Sequence, residues 1–255
     1  MTEDTHIGGP GARFPATQRF VVRAACSSDA AERKRALETI IAAYWKPLYK
    51  YIRIRWGKSN EDAKDLTQAF FASLIEKKYL DDFDPSKARL RTFLRVCLDH
   101  FSANEVKAAK RLKRGGGAEH LSLDFTAAES ELAQAQLSVN ASVSPARADE
   151  FLELEYLRSL FGLAVEELRS FCENKDKKMH FRLFELYDLE DTKARRPSYA
   201  DLAAQFGIAV TDVTNHLAYT RREFRRIAMA KLREMTASED EYRREARALL
   251  GVKPK

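Results

Sequence analysis

YADLAAQFGIAVTDVTNHL, from Tyr199 to Leu217, is the stretch that decides the fold. Ser198 just before it can cap a helix, with Asp201 reaching back in the manner of a capping box. Leu202, Ala203, Phe206, Gly207, Ile208 and Val213 then stand where two helices joined by a tight turn need a core contact, a small residue at the crossing or a turn glycine. This is helix-turn-helix spacing.

The second helix of that unit sorts cleanly by face. Val213, Leu217, Phe224 and Ile227 fall on one side, and Thr214, Asn215, Ala218, Arg222, Arg225 and Arg226 on the other, with Thr211 and Arg221 beside them. Small polar residues near the start of such a helix can reach base edges, and arginines further along can hold phosphates or guanine. The polar side is therefore a candidate DNA surface.

Working outward, the same helical period runs through the rest of the chain. Leu37, Ile40, Ile41 and Tyr44 recur at spacings of three and four, and Leu48, Tyr51 and Ile52 follow Pro47. Trp56-Gly57 ends that helix and Ser59 can cap the next, expected over residues 60–78. A break at Asp81-Asp82-Phe83-Asp84-Pro85 precedes a long helix over residues 89–112, which Gly115-Gly116-Gly117 stops. Periodicity resumes over 151–173 and 178–189. No strand-like alternation and no internal repeat stands out, so the chain reads as all-α: two helical domains joined by a flexible acidic linker, the second carrying the helix-turn-helix. The expected boundaries are a flexible tail at 1–18, a first domain at 19–114, a linker at 115–150 with a short helix near 127–137, a second domain at 151–236 and an extension at 237–255.

Composition narrows the class. A chain of 255 residues with 45% hydrophobic content has room for two small cores. The net charge of +6 points to an anionic partner, but its distribution says more. From Pro85 to Arg114 there are nine Lys/Arg against two acids, and from Gly115 to Glu155 one Arg against eight acids. Segregated charge implies that different segments meet different partners. Cys26, Cys97 and Cys172 are odd in number and far apart, which suggests neither a disulfide framework nor a zinc site. No HxH, HExxH, Walker loop or cluster of carboxylates is present, so no catalytic residue, metal or cofactor is expected. The absence of a long apolar run or a signal-like amino terminus leads us to expect a cytoplasmic protein without a membrane span.

Two further stretches carry partner information. In EDAKDLTQAFFASLIEK, Glu61 to Lys77, a helical projection puts Ala63, Leu66, Phe70 and Leu74 on one side, while Phe71 and Ile75 fall on the flank beside Asp65, Gln68 and Ala72. The apolar arc is wider than one small bundle buries, so Phe71 and Ile75 either pack inward or form a docking surface. In the run from Ser86 to Arg114, Phe93, Leu94, Cys97, Leu98 and Phe101 form an apolar stripe. Arg91, Arg95, Ser102, Lys110 and Lys113 lie opposite, a row of cations suited to a phosphate backbone.

These stretches together, in this order, resemble the two helical domains of a small alternative sigma factor of the extracytoplasmic-function group. The resemblance covers roughly residues 44–114 and 181–232. It implies that Glu61, Asp62, Asp65, Gln68, Phe71 and Ile75 bind the β′ clamp helices of core RNA polymerase, with the second domain meeting the β flap. It implies that the loop from Phe83 through Ser86 and Lys87 to Arg89 captures a base of the minus-ten element, and that Arg91, Arg95, His100, Asn104 and Lys110 hold the separated strand. Thr211, Thr214, Asn215, Ala218, Arg221, Arg222, Arg225 and Arg226 would read the minus-thirty-five element. The chain departs from the family at Phe93, where Trp is common, at His100, where Asn is usual, and at Thr214-Asn215-His216, where Lys-Ser-Arg is frequent. The docking mode therefore carries over better than the base preference. His100 is equally compatible with a structural role, and the acidic linker with either a plain spacer or a mimic of nucleic acid in the polymerase cleft. An anti-sigma factor or another regulator is a further partner implied by the family. The alternative reading is an autonomous helix-turn-helix regulator that binds DNA without polymerase.

Overall fold

Asp29 opens the first long helix in the computed structural model, which describes residues 21–109, 123–134, 143–190 and 196–250. Its carboxylate accepts from the backbone N–H of Ala31 and of Glu32, the standard way to satisfy orphan donors at a helix start. Among the described residues the secondary structure is helical throughout, with no strand. The α-helices are α1 (Val21–Ala25), α2 (Ala30–Trp56), α3 (Asn60–Glu76), α4 (Leu90–Ala109), α5 (Phe125–Gln134), α6 (Pro145–Asn174), α7 (Lys178–Phe184), α8 (Tyr199–Phe206), α9 (Val210–Glu234) and α10 (Glu239–Leu250). A 3₁₀ turn, Tyr79–Asp82, follows α3, and a π turn, Glu185–Leu189, follows α7. None of these helices is long and apolar enough to cross a membrane.

Several boundaries follow from local chemistry. Helix α2 runs on through Pro47 and stops at Gly57, whose φ of 58° is the left-handed conformation that glycine adopts without strain. Ser59 then caps α3 by accepting from the Asp62 N–H at 3.1 Å. At the other end of the chain, the Ser198 hydroxyl accepts from Asp201 N–H at 3.1 Å while the Asp201 carboxylate accepts from Ser198 N–H at 2.8 Å, a complete capping box. Gly207, at φ 64°, ends α8.

Among the described residues the buried side chains form two hydrophobic clusters. The larger gathers α1, α2, α3 and α4 with α5, the amino-terminal half of α6, the carboxy-terminal end of α9, and Tyr242 and Ala246 of α10. The smaller gathers the carboxy-terminal half of α6 with α7, α8 and most of α9. Helix α6 contributes Ala148, Leu152, Tyr156 and Leu160 to the first and Ala164, Leu168 and Cys172 to the second, so one unbroken 30-residue helix serves both. Tyr156 stacks on Tyr44 with ring centroids 5.1 Å apart, and the Ser159 hydroxyl donates to the Ala43 carbonyl at 2.9 Å.

Here the structure differs from the sequence reading. Residues 123–134 and 143–150, read as part of a flexible linker, are ordered and docked on α2. Phe125 sits edge-on against Trp45 and Tyr49, and Ala128 and Leu132 are buried. The acids of α5 meet cations of α2: Glu129 pairs with Arg53 at 2.6 Å and Glu131 with Lys50 at 2.7 Å and Lys46 at 2.8 Å. A sequence window sees an acidic, Ala-rich segment without knowing that a basic helix face waits for it. The helix expected over 151–173 starts earlier, at Pro145, and the one expected over 178–189 gives way to the π turn after Phe184.

Candidate functional site

Helix α3 presents its polar edge over a fully packed aromatic layer. Ala63, Thr67, Phe70, Phe71, Ser73 and Leu74 are buried, and Phe70 meets Phe71 at 5.3 Å and Phe101 at 5.8 Å. Glu61, Asp62 and Asp65 are exposed, Gln68 is half-buried, and Ile75 remains 37% exposed. Glu61, Asp65, Gln68 and Ile75 fall on one stripe at helical spacing, and Glu61 pairs with Lys64 at 2.9 Å. Phe71 is a correction. It lies 0% exposed in the core, because α3 is covered on both flanks, so it supports this surface from below instead of offering itself to a partner.

The loop before α4 is held by its own acids. The Asp84 carboxylate accepts from the Ser86 N–H at 2.9 Å and from its hydroxyl at 2.7 Å, and pairs with Lys87 at 3.0 Å. These donors, the Ser86 hydroxyl first, hold the carboxyl down to about 2. Phe83 rests half-buried on Phe93 at 5.2 Å, while Ser86, Lys87 and Arg89 are exposed.

The cations of α4 are not the open row the sequence suggests. Arg91 is only 4% exposed: its Nε donates to Glu153 at 2.6 Å, and its Nη1 and Nη2 donate to the two oxygens of Glu245 at 2.9 and 3.2 Å. Arg95 pairs with Asp99 at 2.8 Å and Asp149 at 3.2 Å, and Arg89 reaches Glu245 at 3.0 Å. Ser102, placed on the same polar face by the sequence, is buried. The physical reason is tertiary: α6 and α10 lay carboxylates along this side of α4. His100 and Asn104 are exposed, and Lys110 lies outside the described residues.

Helices α8 and α9, joined by Gly207, Ile208 and Ala209, give the opposite picture. Leu202, Ala203, Val213, Leu217 and Thr220 are buried where they cross or meet α7. Thr211, Thr214, Asn215, Ala218, Arg222, Arg225 and Arg226 are all exposed. Arg226 pairs with Glu223 at 2.9 Å and Arg222 lies over the Tyr219 ring, both at the surface. Arg221 differs. It donates to both oxygens of Asp188 at 2.9 and 3.0 Å and to Tyr199 at 3.3 Å, so it fastens the π turn and α8 to α9 while its side chain stays 41% exposed. His180 of α7 and His216 of α9 lie with ring centroids 3.8 Å apart. Burial first, then His216 and Lys177, push the His180 imidazole down to about 4.

The sequence reading missed the acids that answer these cations. Glu245 and Glu153 are set apart only by structure, although EDEYRREARALL does place Glu241 and Glu245 on the same side as Tyr242 and Ala246. Lys50 and Glu155, each 2% exposed and 2.5 Å apart, were equally invisible. No group of three or more metal-ligating side chains occurs among the described residues. Cys97 is pushed up to about 11 by burial, and Cys26 and Cys172 are also raised by burial, so all three stay protonated thiols at neutral pH. No model of a known protein family, no curated protein and no solved structure matches the chain.

Proposed function

We propose that the protein is a promoter-specificity subunit of the extracytoplasmic-function sigma type. It docks on the clamp helices of core RNA polymerase through α3 and on the flap through the α8–α9 region. It reads upstream promoter DNA with α9, and it engages the separated minus-ten strand with the Phe83–Arg89 loop and α4. Its work is binding, carried out in the cytoplasm, and no covalent chemistry is part of it.

The observation that carries this reading is the α3 stripe. Glu61, Asp65 and Ile75 are exposed on a helix whose inner face, Phe70, Phe71 and Leu74, is locked in the core. Acidic and polar anchors beside one exposed aliphatic residue, held rigidly, suit a basic helical partner at low ordering cost. A protein acting on DNA alone has no use for such a surface. The exposed face of α9 supplies the second half: small polar residues at its start and three arginines further along, as groove reading and phosphate contact require.

One observation favours a second reading. The α9 arginines are open while Arg91 and Arg95 are engaged by acids, which suits an autonomous regulator that uses α9 only. Co-purification with core polymerase separates the two. The sigma reading predicts a stable complex that the double change Asp65→Ala, Gln68→Ala weakens at least tenfold with thermal stability unchanged. A chain that binds duplex DNA tightly and never retains polymerase is the regulator.

A further inference from the structure

Helix α10 lies against the loop and the helix that the proposed function assigns to the separated strand. Glu245 is 1% exposed at its side chain and takes Nη1 and Nη2 of Arg91 together, with Arg89 on the same carboxylate at 3.0 Å. Glu241, one turn earlier and buried, stands at the edge of a cavity of about 390 Å³ lined with Ser86, Lys87, Arg89, Thr92 and Arg244. That cavity is open, with Lys87 and Arg89 on the loop side and Glu241 beside Arg244 on the α10 side, and its volume is in the range of small-ligand pockets. A carboxylate that accepts both terminal nitrogens of a guanidinium holds the geometry a phosphate oxygen pair would use.

The way α10 is held matters as much as what it covers. Of its described residues Tyr242 and Ala246 are the buried apolar ones, and most of the others are charged. A buried ion pair roughly breaks even against the desolvation of its partners, so Arg91–Glu245 orients α10 without anchoring it strongly. Arg91 also keeps Glu153 on its Nε when Glu245 leaves, so the guanidinium does not become an orphan charge and its outer edge is freed.

We propose that α10 is an acidic gate on the strand-binding surface: docked, it occupies Arg89 and Arg91 with Glu245 and walls the loop cavity with Glu241; displaced, it hands those cations to single-stranded DNA. The gate rests on reading α4 and its loop as the strand-binding surface. The closed form suppresses adventitious binding to single-stranded nucleic acid, and the competing polyanion itself opens it, because strand and carboxylates cannot share the two guanidinium groups.

The test uses the full chain and a labelled single-stranded oligonucleotide of mixed sequence, about 16 nucleotides long, read by fluorescence anisotropy. Glu241→Gln with Glu245→Gln should tighten binding roughly tenfold and steepen the dependence of affinity on salt by about 0.7 for each cation released. Glu38→Gln with Glu173→Gln, which changes net charge equally at two exposed acids elsewhere, should stay within about twofold of the parent chain. In the unaltered chain, adding the oligonucleotide should speed amide exchange in residues 239–248. A test pair that binds no tighter than the control pair overturns the gate, and so does α10 exchange that the oligonucleotide leaves unchanged. If the amide pair fails to fold, the exchange measurement on the unaltered chain decides alone. Failure of the gate leaves polymerase retention and its dependence on Asp65 and Gln68 intact, whereas failure of the sigma reading removes polymerase retention and leaves the oligonucleotide result standing.

Discussion

Helices α4 and α9 are both basic, amphipathic rods, yet one is closed and the other open. Along α4, Arg91 sits 4% exposed between Glu153 and Glu245, and Arg95 between Asp99 and Asp149. Along α9, Arg222, Arg225 and Arg226 stand in solvent beside Thr211, Thr214 and Asn215. The difference teaches that a row of cations on a helix says little until its neighbours are known. Surrounded by acids, a basic face is occupied by its own chain. Left open, it is free to meet a polyanion.

The two sides should therefore break in different ways. On the closed side, Lys50 and Glu155 are both buried and bridge α2 to α6, and losing Glu155 leaves Lys50 with Glu131 at 2.7 Å, so Glu155→Ala should cost about 3 kcal/mol in chemical denaturation, at the low end for a broken buried pair. A loss under about 1 kcal/mol would mean that Glu131 alone satisfies the buried ammonium and that Glu155 adds little. On the open side, Arg222→Ala with Arg225→Ala and Arg226→Ala should leave the melting temperature nearly unchanged and weaken duplex DNA binding. Each phosphate contact removed should flatten the salt dependence by about 0.9, and a lost base contact should cost about 1–3 kcal/mol for the cognate site.

The turn between α8 and α9 offers a smaller effect. A Cβ at Gly207 meets nothing within 4 Å, so Gly207→Ala tests backbone strain alone at φ 64°, with an expected loss of about 1–2 kcal/mol and weaker duplex binding through a tilted α9. The smallest effect is in pH. His180 holds its neutral form down to about 4 in the folded chain but protonates near its ordinary value when unfolded. The stability it contributes is present above that ordinary value and is lost as pH falls through it towards 4. Against His180→Gln, the parent chain should lose more of its melting temperature between neutral pH and about pH 4.5. Equal slopes would contradict the packing of His180 against His216 and Lys177.

What the sequence made legible was local. The caps at Ser59 and Ser198, the stops at Gly57 and Gly207 and the apolar faces of α3 and α9 all depend on residues within one or two turns of each other, and each stands where it was expected. Helix α3 ends two residues short of the expected position, at Glu76, where Lys78 turns left-handed. What stayed hidden was long-range. Phe71 flanks its helix by periodicity, and only the packing around α3 settles that it points inward. Arg91 meets Glu245 across 154 residues, and Glu129 reaches Arg53 across 76, pairings that no window of sequence contains. The segment with the least apolar pattern, around α5, proved well tied down because its charges complement α2.

The central claim is that α3 docks the chain on core polymerase so that α9 and α4 act at a promoter. Its most direct measurement is transcription from a pool of promoter-bearing fragments by purified core polymerase, with the parent chain and with Asp65→Ala, Gln68→Ala. Start sites that appear only with the parent chain, and that the double change reduces at least tenfold, are the predicted result. Undiminished specific initiation by the altered chain, or none from the parent chain under conditions where α9 binds duplex DNA, would contradict it.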